Sequence, residues 1–350
     1  MMPSQPEYLK SMQPIAILNT GLVTSVGLTA ATACAAIRIG ISNAQETLFM
    51  GSEGEWIMGH SVPLEKPCQG MTKHVKMAAM TIHECLAEIP KNQWPSIPLL
   101  LCVAERERPG RLEFVEDQLF VEIQRELKVE FAPKSGVIPF GRVSVAMALQ
   151  RAQQLIYEDG IPLVLIAATD SLLTWSTLSV YENNDRLLGN GNSNGFIPGE
   201  GGAALLVARP NASVQLRCVG VGMAMEKAHI DSEEPLLADG LTTAIRTALT
   251  DAGCEMHDLD FRITDLSGEQ YYFKEATLAL TRALRRRKEE FDIWHPAECI
   301  GETGATAGVA MVVIANAANR KGYSKGANIL AHMAADPGQR AALVLQFRNQ

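Results

Sequence analysis

The chain has 350 residues, enough for one large domain or two small ones around an ample core. Hydrophobic residues make up 47% and charged residues 20%, which places it among globular proteins rather than disordered chains. A net charge of -8 argues against a nucleic-acid surface or an acidic membrane surface as partner.

The N-terminal segment "MMPSQPEYLKSMQPIAIL" has no basic stretch followed by a long apolar core, so no secretion signal is expected. No stretch is apolar enough over the length a bilayer requires. Seven scattered cysteines, with no CxxC pair, fit reduced thiols and a cytoplasmic location.

Short apolar runs alternate with longer amphipathic ones, an α/β pattern. "PIAILNTGL" reads as a strand, and "TAATACAAIRIG" as a helix stopped by Gly40. Residues 42 to 70 read as irregular. "KHVKMAAMTIHECLAEI" reads as a helix, "SIPLLLCVAE" as a buried strand, and "RLEFVEDQLFVEIQREL" as an amphipathic helix. "RVSVAMALQRAQQLIYEDG" is a helix ended by Gly160, and "IPLVLIAATDS" a strand buried on both faces. A Gly- and Asn-rich loop, "GNGNSNG", lacks the dinucleotide-binding spacing and leads into the strand "GGAALLVAR".

Past Pro210 the rhythm repeats. "SVQLRCVGVGMAM" is a strand, "PLLADGLTTAIRTALTDAG" a helix and "FRITDLSG" a strand with its turn. "EATLALTRALRRRKEE" reads as a helix with a solvated basic end. The stretch "GETGATAG" opens a buried helix from Gly308 to Ala318, and "ANILAHMAA" with "RAALVLQF" closes the chain as a hairpin. The repetition suggests two related halves, residues 1–210 and 211–350.

Four segments, in order, resemble the β-ketoacyl synthases of the thiolase superfamily. "IAILNTGLVTSVGLTAATACAAIRIG" is similar to the family's first strand, turn and helix. "GFIPGEGGAALLVAR", Gly195 to Arg209, resembles its G-F-x-P-G-E-G signature almost letter for letter. "TDLSGEQYYFKE" and "IGETGATAG" stand where the family carries its two histidine motifs. The resemblance spans Ile15 to the C-terminus. It implies a five-layered αβαβα architecture of two similar halves, each with a mixed five-stranded sheet and buried helices between the sheets. It also implies a homodimer, or a heterodimer with a related chain.

The family's reaction uses a cysteine at a helix N-terminus, two histidines and a backbone oxyanion hole. The family's spacing, counted back from Gly160, puts the cysteine position on Val143. The histidine positions fall on Ser267 and Glu302, and the family's lysine on Ala297. The glycine-rich loop near the C-terminus reads as "AADPGQ", Ala334 to Gln339, where Pro337 has no N–H to donate. The scaffold glycines Gly199, Gly201, Gly202, Gly268, Gly301 and Gly308 match. The resemblance therefore implies a retained backbone and a lost condensation site, with no cofactor and no metal.

Several residues carry competing readings. Ser144 is a weak candidate nucleophile, but a serine needs a general base, and lining the helix start is the preferred reading. Asp265, Glu269 and Glu302 could form a carboxylate site for acid–base work or Mg²⁺. Glu302 as an acceptor for backbone N–H groups at the following helix is preferred. The seven histidines show no metal-ligand spacing. Arg106, Arg108 and Arg111, beside Glu105 and Glu107, read as a solvated loop.

The favoured function is a ketosynthase-like protein that works by binding, as an accessory, adaptor or chaperone-like subunit. A related chain, an acyl carrier protein or a secretion effector is the kind of partner this allows. The alternatives are an acyltransferase of altered chemistry and a sensor that keeps the acyl pocket.

Overall fold

The computed structural model describes residues 13–52 and 54–348. The segment read as lacking a secretion signal therefore lies, up to residue 12, outside the described residues.

The elements run β1 (Ile15–Val23), α1 (Ala30–Arg38), β2 (Gln45–Met50), β3 (Trp56–Gly59), α2 (Gly70–Cys85), β4 (Leu99–Cys102), α3 (Leu119–Leu127), β5 (Gly136–Ile138), α4 (Ser144–Tyr157), β6 (Val164–Ser171), α5 (Trp175–Asn183) and β7 (Glu200–Ala208). After them come β8 (Gln215–Met225), α6 (Asp239–Ala252), β9 (Phe261–Thr264), α7 (Gln270–Ala283), β10 (Ile293–Trp294), α8 (Ala297–Ile300), α9 (Ala305–Arg320), β11 (Asn328–Ala334) and β12 (Gln339–Arg348).

Among the described residues ten strands form one sheet, in the order β5-β4-β6-β7-β1-β8-β12-β11-β9-β10. The order read outward from its centre is the same on both sides. β4 runs parallel to β5 and β6, while β6–β7 and β7–β1 are antiparallel. Likewise β9 runs parallel to β10 and β11, while β11–β12 and β12–β8 are antiparallel. The two runs join where Ile15–Ile17 pair antiparallel with Leu216–Cys218.

Alternation of side chains along the strands divides the core into layers. Leu99, Leu101, Leu165 and Leu206 pack on α2 and α3. Their neighbours Leu100, Cys102, Ile166 and Leu205 point the other way, onto α4 and α9. The second run repeats this: Ile263, Ile329 and Leu343 face α4 and α9, while Leu330, Ala342 and Val344 face α6 and α7. The result is the five-layered α/β arrangement, with α4 and α9 in the middle. α9 is buried around nearly its whole circumference, which suits a sequence as apolar as "VAMVVIANAA".

Gly308 fixes how closely the two central helices approach. A Cβ there would sit 2.5 Å from the Arg142 carbonyl oxygen and 2.8 Å from Val145 Cγ1. Gly308→Ala should destabilise the fold by about 1–3 kcal/mol, as overpacking of a tight core does. Urea unfolding of the variant checks this, and a loss of a few tenths would mean that the helices can part.

Some local expectations need correction. Residues 42 to 70 are not irregular, because β2 and β3 form a separate two-stranded hairpin there. Helix α3 starts at Leu119 rather than near Arg111. Helix α7 ends at Ala283, so "RRRKEE" lies beyond it. Helix α5 was not anticipated; Thr174 caps it by accepting the Thr177 N–H. Among the described residues no helix is long and apolar enough to cross a membrane.

Candidate functional site

The signature Gly195–Arg209 and the stretch around Glu302 are laced together by backbone bonds. The Glu302 N–H donates to the Ile197 carbonyl at 2.8 Å, and the Gly199 N–H donates to the Glu302 carbonyl at 2.8 Å. Thr306 Oγ1 donates to the Gly201 carbonyl at 2.9 Å. These bonds place Glu302 at the mouth of α9, facing the short 3-10 turn Gly141–Val143 that precedes α4.

Val143 is the residue just before α4 and is buried. Ser144 is fully buried. Its hydroxyl donates to the Ile138 carbonyl at 3.0 Å and accepts the Phe140 N–H at 3.1 Å. Both bonds hold the chain ahead of the helix and leave the oxygen no free access. Ser267 Oγ is buried without a hydrogen-bond partner.

Glu302 accepts the Gly304 N–H at 2.9 Å, so it caps the turn before α9. The first N–H of the helix itself, on Ala305, goes to Asp170 Oδ2 at 2.7 Å. Gly304 has φ +55° and no room for a Cβ, which would lie 2.1 Å from that same oxygen. Glycine is thus required both for the left-handed backbone and for the close carboxylate.

The other oxygen of Glu302 leads to groups that the sequence reading missed. Arg142 Nη1 donates to it at 3.1 Å. Arg142 also donates to Asp336 at 2.5 Å and to the Tyr272 hydroxyl at 3.1 Å, and lies 3.8 Å from Asp265. Asp336 sits in the turn between β11 and β12, inside the loop "AADPGQ". It takes a further bond from Arg186 Nη1 at 2.7 Å, and Tyr272 donates to it at 2.5 Å. Arg186 pairs in two-pronged fashion with Glu269, at 2.7 and 2.8 Å. On the far side Arg108 bridges Glu105 and Asp170, at 2.7 and 2.9 Å.

Asp265, Glu269 and Glu302 are therefore close together but face guanidinium groups. The Asp265 carboxylate also accepts the Ala334 N–H at 2.9 Å. Glu105 and Arg108 are not part of a solvated loop, since both are only 6% exposed. Arg106 and Glu107 are exposed as expected, Arg106 pairing with Glu116, while Arg111 is half-buried and pairs with the same carboxylate.

Burial pushes the Glu302 carboxyl up to about 7, with Arg142 pulling in the opposite direction. Burial likewise raises Asp265, again against Arg142. Asp336 is the reverse case. Burial works to raise it, but Arg142, Arg186 and the Tyr272 hydrogen bond hold it well below the usual carboxylate range.

What remains of open space is small. A cavity of about 10 Å³ is lined by Arg108, Arg142, Arg186, Glu269, Glu302 and Asp336, together with Tyr181, Phe196, Glu105, Leu172 and Gly304. That is room for about one water molecule. Among the described residues no cysteine or histidine lines it. A signal that could have pointed to this arrangement is that charged residues stand at or beside three of the family's motif positions: Arg142 before Val143, Glu302, and Asp336 within "AADPGQ".

No family model matches the sequence, and no curated protein matches it at a significant level. Solved structures do. A ketosynthase in complex with its chain length factor, from Xenorhabdus doucetiae, superposes with a TM-score of 0.77 at 14% identity, covering 99% of this chain and 100% of that one. A type II polyketide ketosynthase solved in complex with its acyl-carrier protein gives 0.79 at 13% identity, covering 96% and 100%. A β-ketoacyl synthase from Burkholderia phymatum gives 0.73 at 14% identity, with the same coverage of 96% and 100%. Layer order, strand order and these superpositions agree: the chain has the thiolase-like fold of the β-ketoacyl synthases and chain length factors.

Proposed function

We propose that this chain is a catalytically degenerate β-ketoacyl synthase-like protein that acts by binding, as an accessory subunit. The observation that carries the reading is the filling of the site. Where the fold's chemistry would need a thiol and two imidazoles around an open pocket, Arg142, Arg186, Glu302 and Asp336 meet in a cluster with about 10 Å³ left over. Val143 at the start of α4 cannot form a thioester, and neither Ser267 nor Glu302 supplies an imidazole. A carboxylate at Glu302 would repel a malonyl group, more strongly as the site dries.

The reading extends to organisation. The two halves divide near Pro210, as residues 1–210 and 211–350, and the partner is a related chain or a protein of the same assembly. The support is that the similar structures include ketosynthases seen with a chain length factor or an acyl-carrier protein. The chain works in the cytoplasm without cofactor or metal.

Incubation with acyl-CoA and acyl carrier protein donors, followed by intact-mass spectrometry, should show no added mass. Tandem affinity purification with neighbouring gene products should recover a stoichiometric partner. A stable acyl adduct that disappears in Ser144→Ala would overturn the binding reading, since Ser144 is the hydroxyl nearest the start of α4.

A further inference from the structure

The hairpin β2–β3 stands apart from the ten-stranded sheet, and among the described strands each pairs only with the other. Glu46 lies opposite Met58 and Met50 opposite Trp56, so these side chains share one face. Exposure alternates along β2 and adds Leu48 to that face. Leu48 is 82% exposed, Met50 46%, Trp56 45% and Met58 37%. Four large apolar side chains side by side in water mark an interaction surface rather than ordinary scatter.

This face runs into a groove of about 660 Å³ between the hairpin and the loop from Asp185 to Asn192, where Leu187 and Leu188 add further apolar lining. The groove is also acidic. Glu46, Glu55, Glu182 and Asp185 line it, and among the described residues no lysine or arginine does. Glu55 accepts the Asn190 amide and Glu182 the Ser52 N–H, which are neutral donors that leave the charges in place. None of the ion pairs among the described residues involves these four carboxylates.

We propose that the groove docks a cationic segment of a partner protein. Its apolar side chains would seat against Trp56, Met58 and Leu188, and its lysine or arginine side chains against the four carboxylates. The apolar face continues past the groove through the exposed Met50 and Leu48, which an extended segment of a partner can follow. Charge complementarity selects the partner, because an acidic docking protein would meet four like charges. The proposal rests on reading the chain as a binding subunit, and it specifies the partner's chemistry.

The test uses the full chain and fluorescence anisotropy at near-physiological salt. The probe is a labelled synthetic peptide alternating arginine and leucine. One control carries glutamate for arginine, and a second carries serine for leucine. The arginine–leucine peptide should bind about ten-fold more tightly than either control. Trp56→Ser, Leu188→Ser and Glu46→Lys should each weaken it about ten-fold while melting at the parent temperature, as exposed positions do. Equal binding of the three peptides, or binding unchanged in all three variants, overturns the proposal. So does light scattering that finds the parent dimeric and Trp56→Ser monomeric, because a second copy then covers the face. The two readings fail separately. An acyl adduct in the mass experiment sinks the non-catalytic reading and leaves the peptide result standing, whereas loss of peptide selectivity without an adduct sinks only the docking site.

Discussion

Asp336→Asn is expected to cost the fold about 3–5 kcal/mol, the scale of breaking a buried ion pair by removing one partner. Asp336 accepts from Arg142, Arg186 and Tyr272 at once. Neutralising it leaves two guanidinium groups, each about a tenth exposed, with one fewer counter-charge. The asparagine amide would also turn donors toward donors. Arg142→Met should cost a similar amount for the opposite reason, since it strands Glu302 and Asp265 as buried carboxyl groups. Because the two residues share one network, the double variant should lose less than the sum of the single losses. Urea unfolding of the parent, both singles and the double gives the four numbers. Losses below about 1 kcal/mol for each single variant would show that water already screens the cluster, as it does for surface pairs.

The second large effect concerns pH. Glu302 has its folded-state pKa raised, to about 7, from an ordinary value of 4.5. The folded chain therefore holds this proton more tightly than the unfolded chain. The contribution to stability is fully present below about pH 4.5, shrinks as pH rises and is gone above about pH 7. Its size is on the order of 3 kcal/mol. Buried histidines act in the opposite sense over an overlapping range. Burial lowers His60 to about 4 and His332 to about 3, so each stabilises above its ordinary 6.5 and loses that contribution as pH falls. The parent's profile alone thus mixes the two signs. The difference between parent and Glu302→Gln isolates the carboxyl, since glutamine keeps an acceptor for the Gly304 N–H and does not titrate. That difference should move against the parent by a few kcal/mol between pH 5 and pH 8, measured by urea unfolding at each pH. A flat difference would mean that Arg142 holds Glu302 ionised throughout.

The parts legible in the sequence are those written in local pattern. Gly160 and Gly253 follow their helices with left-handed backbone, and β6, "VLIAATDS", is buried along nearly its whole length on an apolar first stretch. The signature Gly195–Arg209 led to the correct fold because its glycines serve close backbone contacts that tolerate no substitute. The hairpin β2–β3 was readable in principle, from the alternation in "ETLFM" and "EWIMG" around a glycine turn, but its exposed apolar face breaks the usual rule of polar outside. The site was not legible. Glu105, Arg108, Arg142, Arg186 and Asp336 are charged, and local reasoning sends charged residues to solvent. Their burial follows from partners that only the folded chain brings near. Ser144 was placed at the helix start correctly, yet its bonds to Ile138 and Phe140 depend on a turn that periodicity does not describe.

The charge cluster also has a consequence in time. Arg142 lies 160 residues from Glu302 and 194 from Asp336 along the chain. None of these groups can give up its hydration before its partner arrives, and contacts of such long range are reached late because loop-closure entropy comes first. Dehydration of the cluster at the starts of α4 and α9 is then expected to come late in folding. Once it has happened, water cannot return to one side of the cluster without releasing the other, so the two runs of the sheet are expected to unfold in a single transition, with coincident urea midpoints by different probes.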